Sequence, residues 1–171
     1  MQDASELEKL IKGKYKSIEE LPYRQGVIGI VINDKNEYLV VQMVDYAENQ
    51  WRFPGGGLDE GETHQDALLR ELKEELNSDK FEIINESNQV NKYDWPEFVI
   101  AEQIRNKNRY FRGQEQKQFL VKFTGTPGNI KIEPKELRQV KWIPYKQLKS
   151  HFVFDGQWAQ AEGVLKELRQ K

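Results

Sequence analysis

Residues 55 to 77 constrain this chain most. Three consecutive glycines, Gly55, Gly56 and Gly57, lead into a helix that needs cover on one side and concentrates negative charge on another. Thr63 is a suitable N-cap with Asp66 at N3, a weaker relative of the capping box, and Asn77 suits a left-handed stop. The spacing therefore predicts a helix from His64 to Leu76. At about 100° per residue, Leu68, Leu69, Leu72 and Leu76 share a stripe that enters a core, while Glu71, Glu74 and Glu75 form a narrow arc beside it. Like charges three or four residues apart cost roughly 0.2–0.5 kcal/mol per pair, and Arg70 relieves only part of that. A solvated acidic face is the ordinary reading of such an arc. The glycines shift the balance, because a backbone stripped of side chains can approach a phosphate or lend a carbonyl to a metal. Hard cations such as Mg²⁺ take oxygen ligands from a few carboxylates and from substrate phosphates, so the combination points to phosphate chemistry.

The rest of the chain agrees with one compact domain. With 171 residues, 37% hydrophobic and 11% aromatic, it can bury one substantial core, and no composition shift marks a second domain. The absence of cysteine excludes disulfides, thiol catalysis and cysteine zinc sites, and is compatible with a reducing cytoplasmic setting. The N-terminal segment is mixed in charge without the apolar run of a signal peptide, and no stretch approaches membrane-spanning length. A net charge of -2 argues against bulk binding to DNA or RNA, although a local basic patch remains compatible with it. No motif assigns an oligomeric state.

Residues 1 to 12 read as a short amphipathic helix. Gly26 to Ile32 reads as a buried strand forming a hairpin with Tyr38 to Met43 across Asn33 to Glu37. Phe81 to Ile84, Phe98 to Ile104, Gln118 to Thr124 and Val140 to Ile143 read as further strands, and Gly156 to Leu168 as a helix with Trp158, Ala161, Leu165 and Leu168 on one face. Strands with few helices, both faces needing cover, fit an α/β fold with a mixed central sheet between helices.

Gly56, five residues, Glu62, seven residues, then Arg70-Glu71-Leu72-Lys73-Glu74-Glu75 resembles the Nudix box. The box usually closes with glycine and an aliphatic residue, where this chain has Asn77 and Ser78. Asparagine tolerates the left-handed backbone that glycine would supply. The resemblance implies an α/β/α sandwich and a hydrolase of nucleoside polyphosphate linkages, dependent on Mg²⁺ or alternatively Mn²⁺. It implies metal ligation by the Gly56 carbonyl, Glu71, Glu74, Glu75 and Glu136, with Glu71 as general base and Arg70 and Glu62 bracing loop and helix.

Fold and box alone do not identify a substrate. Downstream features resemble the branch of RNA pyrophosphohydrolases and diadenosine polyphosphate hydrolases, namely Tyr93-Asp-Trp-Pro96, the segment Arg112 to Phe119, and Glu136 six residues before Trp142. On that resemblance Tyr93 stacks on a base or bonds a phosphate, and Gln114, Gln116 and Lys117 offer donors near the polyphosphate. The same resemblance implies that Arg24 lies near the substrate phosphates, that Arg52 belongs to the family's lead-in as Trp51-Arg-Phe-Pro54, and that Phe154 stacks on an unpaired base. The implied partner is an RNA 5′ end or a second nucleotide, with no membrane. Departures from the branch are Gly55 where glutamine is usual, no arginine around Val41 to Met43, Asp155 where lysine is usual, and Gln118 where tryptophan is expected. They leave open a Nudix enzyme clearing oxidised nucleoside triphosphates, or a non-catalytic nucleotide-binding domain. The retained box carboxylates argue against the last.

Overall fold

The computed structural model describes residues 5–169. Its packing divides the described residues into one unit of residues 5–25 and 91–116 and another of residues 26–90 and 117–169. The elements run α1 (Glu6–Ile11), β1 (Tyr23–Ile32), β2 (Glu37–Met43), β3 (Gly55–Gly57), α2 (His64–Leu76), β4 (Phe81–Asp94), α3 (Glu97–Lys107), β5 (Gly113–Phe123), β6 (Leu137–Pro144), α4 (Tyr145–His151) and α5 (Gln157–Arg169). The strands form one six-stranded sheet in the order β4-β5-β1-β2-β6, with β3 pairing β1 off that path.

In the second unit, alternation along the strands sorts two hydrophobic layers. Val27 and Val31 of β1 and Leu39 and Val41 of β2 pack with Ala67, Leu68, Leu72 and Leu76 of α2. The intervening residues, Ile30 of β1 and Tyr38 and Val40 of β2, pack with Leu148 of α4 and Ala161, Val164, Leu165 and Leu168 of α5. Helices therefore cover both faces of the sheet, as expected of the α/β/α sandwich. The hairpin turn is held by the Asn33 side chain, whose Oδ1 accepts from the backbone N–H groups of Lys35 and Glu37, and Asn36 takes the left-handed conformation at φ 58°.

In the first unit, Leu7 and Ile11 of α1, together with Leu21, pack with Ile100, Ala101 and Ile104 of α3. Here the reading of Phe98 to Ile104 as a strand is corrected, because these residues lie within a helix. The apolar run Phe98-Val-Ile-Ala101 resembles a buried strand, yet the buried positions 100, 101 and 104 have helical spacing, and Phe98 is 71% exposed. Pro96 precedes the helix, and Asn108 ends it at φ 52°, its N–H donated to the Ile104 carbonyl and the N–H of Arg109 to that of Gln103. β1, β5 and β6 each begin earlier than expected, at Tyr23, Gly113 and Leu137. β4 runs ten residues past Ile84 through a polar stretch that carries no period-two apolar signal. α4, led by Pro144, was not anticipated. Residues 1–4 of the expected N-terminal helix lie outside the described residues. Among the described residues, no helix is long and apolar enough to cross a membrane.

Candidate active site

The glycine run sits where it does because of its neighbours. β3 pairs antiparallel with β1, with Gly57 opposite Gly26, Gly56 opposite Val27 and Gly55 opposite Ile28. A Cβ on Gly55 would lie 2.0 Å from the Val27 carbonyl oxygen, so this glycine is required by sheet pairing. A Cβ on Gly56 would instead meet the Glu71 carboxyl group, 2.2 Å from its Cδ and 2.4 and 2.5 Å from its two oxygens. The missing side chain at position 56 is the space that Glu71 occupies.

α2 begins and ends as expected. Thr63 Oγ1 accepts from the Asp66 N–H at 3.1 Å, and Asn77 closes the helix at φ 52°. One part of the stripe is corrected: Leu69 does not enter the core but is 39% exposed, while Leu68, Leu72 and Leu76 are fully buried. Four leucines span a wider arc than the sheet covers, and Leu69 falls at its open side. The loop carrying Glu136 is stitched to the end of α2. The N–H of Glu133 donates to the Glu75 carbonyl at 2.9 Å, that of Lys131 to Leu76 at 2.9 Å, and Asn77 Nδ2 to the Lys131 carbonyl at 2.6 Å.

Arg70 organises the polar side of the helix. Its Nε and Nη2 donate to the two oxygens of Glu62 at 2.7 and 2.9 Å, and Nη2 also reaches the Gly57 carbonyl at 2.8 Å. Its Nη1 donates to Glu71 at 3.1 Å and to Glu74 at 3.2 Å. The guanidinium, helped by the Asp59 amide, holds the Glu62 carboxyl down at about 2, and these carboxylates in turn raise the Arg70 pKa. A lysine could not reproduce this planar fork. Arg70→Lys is therefore expected to lower kcat by about 10- to 100-fold through loss of positioning, with a small fall in Tm. Near-normal turnover in steady-state kinetics would contradict the bracing role.

The three box carboxylates occupy different environments. Glu74 is half-exposed. Burial pushes Glu71 up, opposed by Arg70 and reinforced by the charges of Glu74 and Glu136. Glu75 is 2% exposed, and burial raises its carboxyl to about 8 against the lowering effect of Arg52, with Glu71 and Glu136 adding to the rise. Its Oε1 lies 3.4 Å from Arg52 Nη2, and its Oε2 is buried without a hydrogen-bond partner. Among the described residues no three acidic or histidine side chains are drawn into ligating geometry, since Arg70 and Arg52 hold the glutamates. The donor set nevertheless fits a divalent cation. An unpartnered buried carboxylate oxygen on Glu75, the charge of Glu71 and Glu136 felt at that carboxyl, and the side-chain-free backbone at Gly56 are what such an ion uses.

The second unit thus brings Gly56, Glu62, Arg70, Glu71, Glu74, Glu75, Glu136 and Arg52 into one region. Phe154, also in this unit, is 39% exposed and meets Tyr46 edge-on at 5.2 Å between ring centroids. Lys117 is 3.4 Å from Glu86 in an exposed ion pair. In the first unit Tyr93 donates its hydroxyl to Gln114 at 2.7 Å, and buried Gln116 accepts from Asn91 at 3.0 Å. Arg24 lies on β1 in that unit.

Two groups escaped the sequence reading. In the first unit Asp94 accepts from Tyr23 at 2.5 Å and from Arg112 at 3.0 Å, which holds its carboxyl below the usual range. In the second, fully buried Gln42 donates to the carbonyls of Ala47, Glu48 and Gln50 and accepts from Arg138 and Gln139, fastening the loop that carries Tyr46. An isolated glutamine inside the apolar strand Tyr38 to Met43 was the available signal, since a buried amide must find partners.

The pattern of the NUDIX domain matches residues 22–166. An RNA pyrophosphohydrolase of Orientia tsutsugamushi (strain Boryong) is 41% identical over 137 residues, covering 79% of this chain and 83% of the relative. Another, of Rickettsia canadensis (strain McKiel), is 40% identical over 136 residues, covering 78% and 83%. Among solved structures, the E. coli dihydroneopterin triphosphate pyrophosphohydrolase superposes with a TM-score of 0.63 at 18% identity, over 85% of this chain and 99% of that one. A C. elegans Ap4A hydrolase binary complex gives 0.59 at 18% identity, over 85% and 99%. Identity that low shows likeness of fold.

Proposed function

Because the chain belongs to the NUDIX domain family, whose members hydrolyse pyrophosphate bonds and generally need a divalent metal, we propose that it is an Mg²⁺-dependent pyrophosphohydrolase of 5′-triphosphorylated RNA ends or dinucleoside polyphosphates. For the chemistry, one observation carries the reading: a buried, unpartnered carboxylate oxygen on Glu75 in the same field of charge as Glu71 and Glu136. For the substrate, the support is identity of about 40% over most of the chain to proteins named RNA pyrophosphohydrolase. The reading takes the chain as one catalytic domain with a short helical N-terminal extension, working in the cytoplasm.

Glu71, Glu74, Glu75, Glu136 and the Gly56 carbonyl would hold Mg²⁺, with Mn²⁺ as a substitute. When bound, the ion supplies charge neutralisation on the bridging phosphates and makes an attacking water more acidic. Glu71 would accept a proton from the attacking water. Contact with Arg70 at 3.1 Å favours the ionised form this role requires, and the space over Gly56 keeps the carboxylate in place. Glu62 and Arg70 fix the loop and the helix as one body, so that Glu71 is delivered at constant geometry. Arg24, Arg52, Lys117, Tyr93, Gln114 and Gln116 are assigned to the polyphosphate and nucleoside, and Phe154 to base stacking. The reading is tested by following 5′-triphosphorylated RNA with Mg²⁺ and with a chelator. Conversion to 5′-monophosphorylated RNA with Mg²⁺ alone is expected, and turnover that persists in the chelator contradicts the metal assignment.

A further inference from the structure

Arg52 is anchored by its backbone, while its guanidinium meets Glu75 by one long contact. Its N–H and carbonyl make a two-way bridge to Val41, at 3.0 and 2.8 Å, so the residue itself cannot shift far. The guanidinium reaches Glu75 through Nη2 at 3.4 Å and the Gly55 carbonyl through the same nitrogen at 3.2 Å, and it also interacts with the Tyr46 side chain. Arg52 Nε is buried without a hydrogen-bond partner, as is Glu75 Oε2. A carboxylate and a guanidinium that stabilise a fold pair bidentately at about 2.7–2.9 Å. A single long contact with an orphaned atom on each side leaves desolvation poorly repaid, so stability does not explain the pair.

The pair is explained by charge. Arg52 sets one positive charge against the carboxylate on which a divalent cation would act, on a long side chain that is 29% exposed. We propose that Arg52 is an internal stand-in for the metal's charge: it holds the Glu75 carboxyl in place in the metal-free protein, gives way when a divalent cation takes Glu75, and is thereby released toward a substrate phosphate. This rests on the assignment of Glu75 as a metal ligand. Two consequences follow. Arg52 weakens metal binding in the absence of substrate, because its contact must be given up first. It also links metal and phosphate binding, because the anion recovers the freed guanidinium, and such coupling is reciprocal.

The test is Mn²⁺ binding, by titration calorimetry and by the free-ion electron spin resonance signal, to wild type, Arg52→Gln, Arg52→Lys and Glu75→Gln, each with and without inorganic pyrophosphate. Without pyrophosphate, Arg52→Gln is expected to bind Mn²⁺ about ten-fold more tightly than wild type, with Arg52→Lys, which keeps the charge, near wild type. Pyrophosphate is expected to tighten Mn²⁺ binding more in wild type than in Arg52→Gln. Unchanged or weaker binding by Arg52→Gln overturns the proposal. Glu75→Gln separates the two levels: if it binds Mn²⁺ as wild type does, the ligand assignment itself fails, whereas weakened binding there with no effect in Arg52→Gln removes only the stand-in role. Wild type supplies a check that needs no folded neutral variant. Arg52 guanidinium ¹⁵N resonances, assigned by their loss in Arg52→Lys, are expected to shift and gain rotational freedom as Mg²⁺ is added, and resonances unmoved at saturation overturn the proposal.

Discussion

Glu75→Gln is expected to lower Mg²⁺-dependent kcat by about a thousand-fold or more, while the metal-free variant melts no lower than wild type. The two halves of this expectation have one cause. Glu75 is 2% exposed, and its carboxyl is pushed up to about 8 by burial and by the charges of Glu71 and Glu136, despite Arg52. An acid whose folded pKa lies above its unfolded value has its charged form disfavoured by folding, so at neutral pH the carboxylate costs stability, and a neutral amide of the same shape removes that cost. Arg52, 29% exposed, keeps access to water when its partner is neutralised. A residue present for packing would show the reverse pattern, lower Tm with activity retained. Steady-state kinetics and thermal melts in chelator distinguish the two.

Gly56→Ala is expected to cost about 100-fold or more in kcat with the fold kept, because displacing a reacting group by about 1 Å has that order of effect. The three atoms nearest an added Cβ all belong to the Glu71 carboxyl group, so the side chain moves while the β3 backbone does not. Gly55→Ala is the contrasting case. Its Cβ would run into the Val27 carbonyl at 2.0 Å and break the pairing of β3 with β1, so the loss there is in Tm. Equal behaviour of the two variants, in circular dichroism melts and in turnover, would contradict the separation of roles within the glycine run.

The fold was legible where side-chain period and stop signals agree. His64 to Leu76 matches in both bounds because Thr63 and Asn77 act as caps and Leu68, Leu72 and Leu76 recur at helical spacing. The helix α3 was misread because four apolar residues in a row carry no period of their own, and its burial at 100, 101 and 104 depends on α1. The polar end of β4 was missed for a related reason, since its pairing is made by the backbone. In the site, residue types and their spacing pointed to Glu62, Arg70, Glu71, Glu74 and Glu75. Spacing could not foretell that Glu75 is buried, that Glu71 fills the space over Gly56, or that Arg52 faces Glu75, because each depends on how the segment 52–57 pairs with β1 and β2. Gln42 stood out in the sequence only as the place of a missing arginine, and its use as a clamp on residues 47 to 50 is a tertiary fact.

The most direct measurement is kcat/KM with Mg²⁺ for 5′-triphosphorylated RNA, diadenosine tetraphosphate, 8-oxo-dGTP and ADP-ribose under one set of conditions. The first two substrates are expected to lead the ranking, and all turnover is expected to stop in chelator. A clear lead for 8-oxo-dGTP or ADP-ribose, or no turnover of any of the four, would contradict the proposed function.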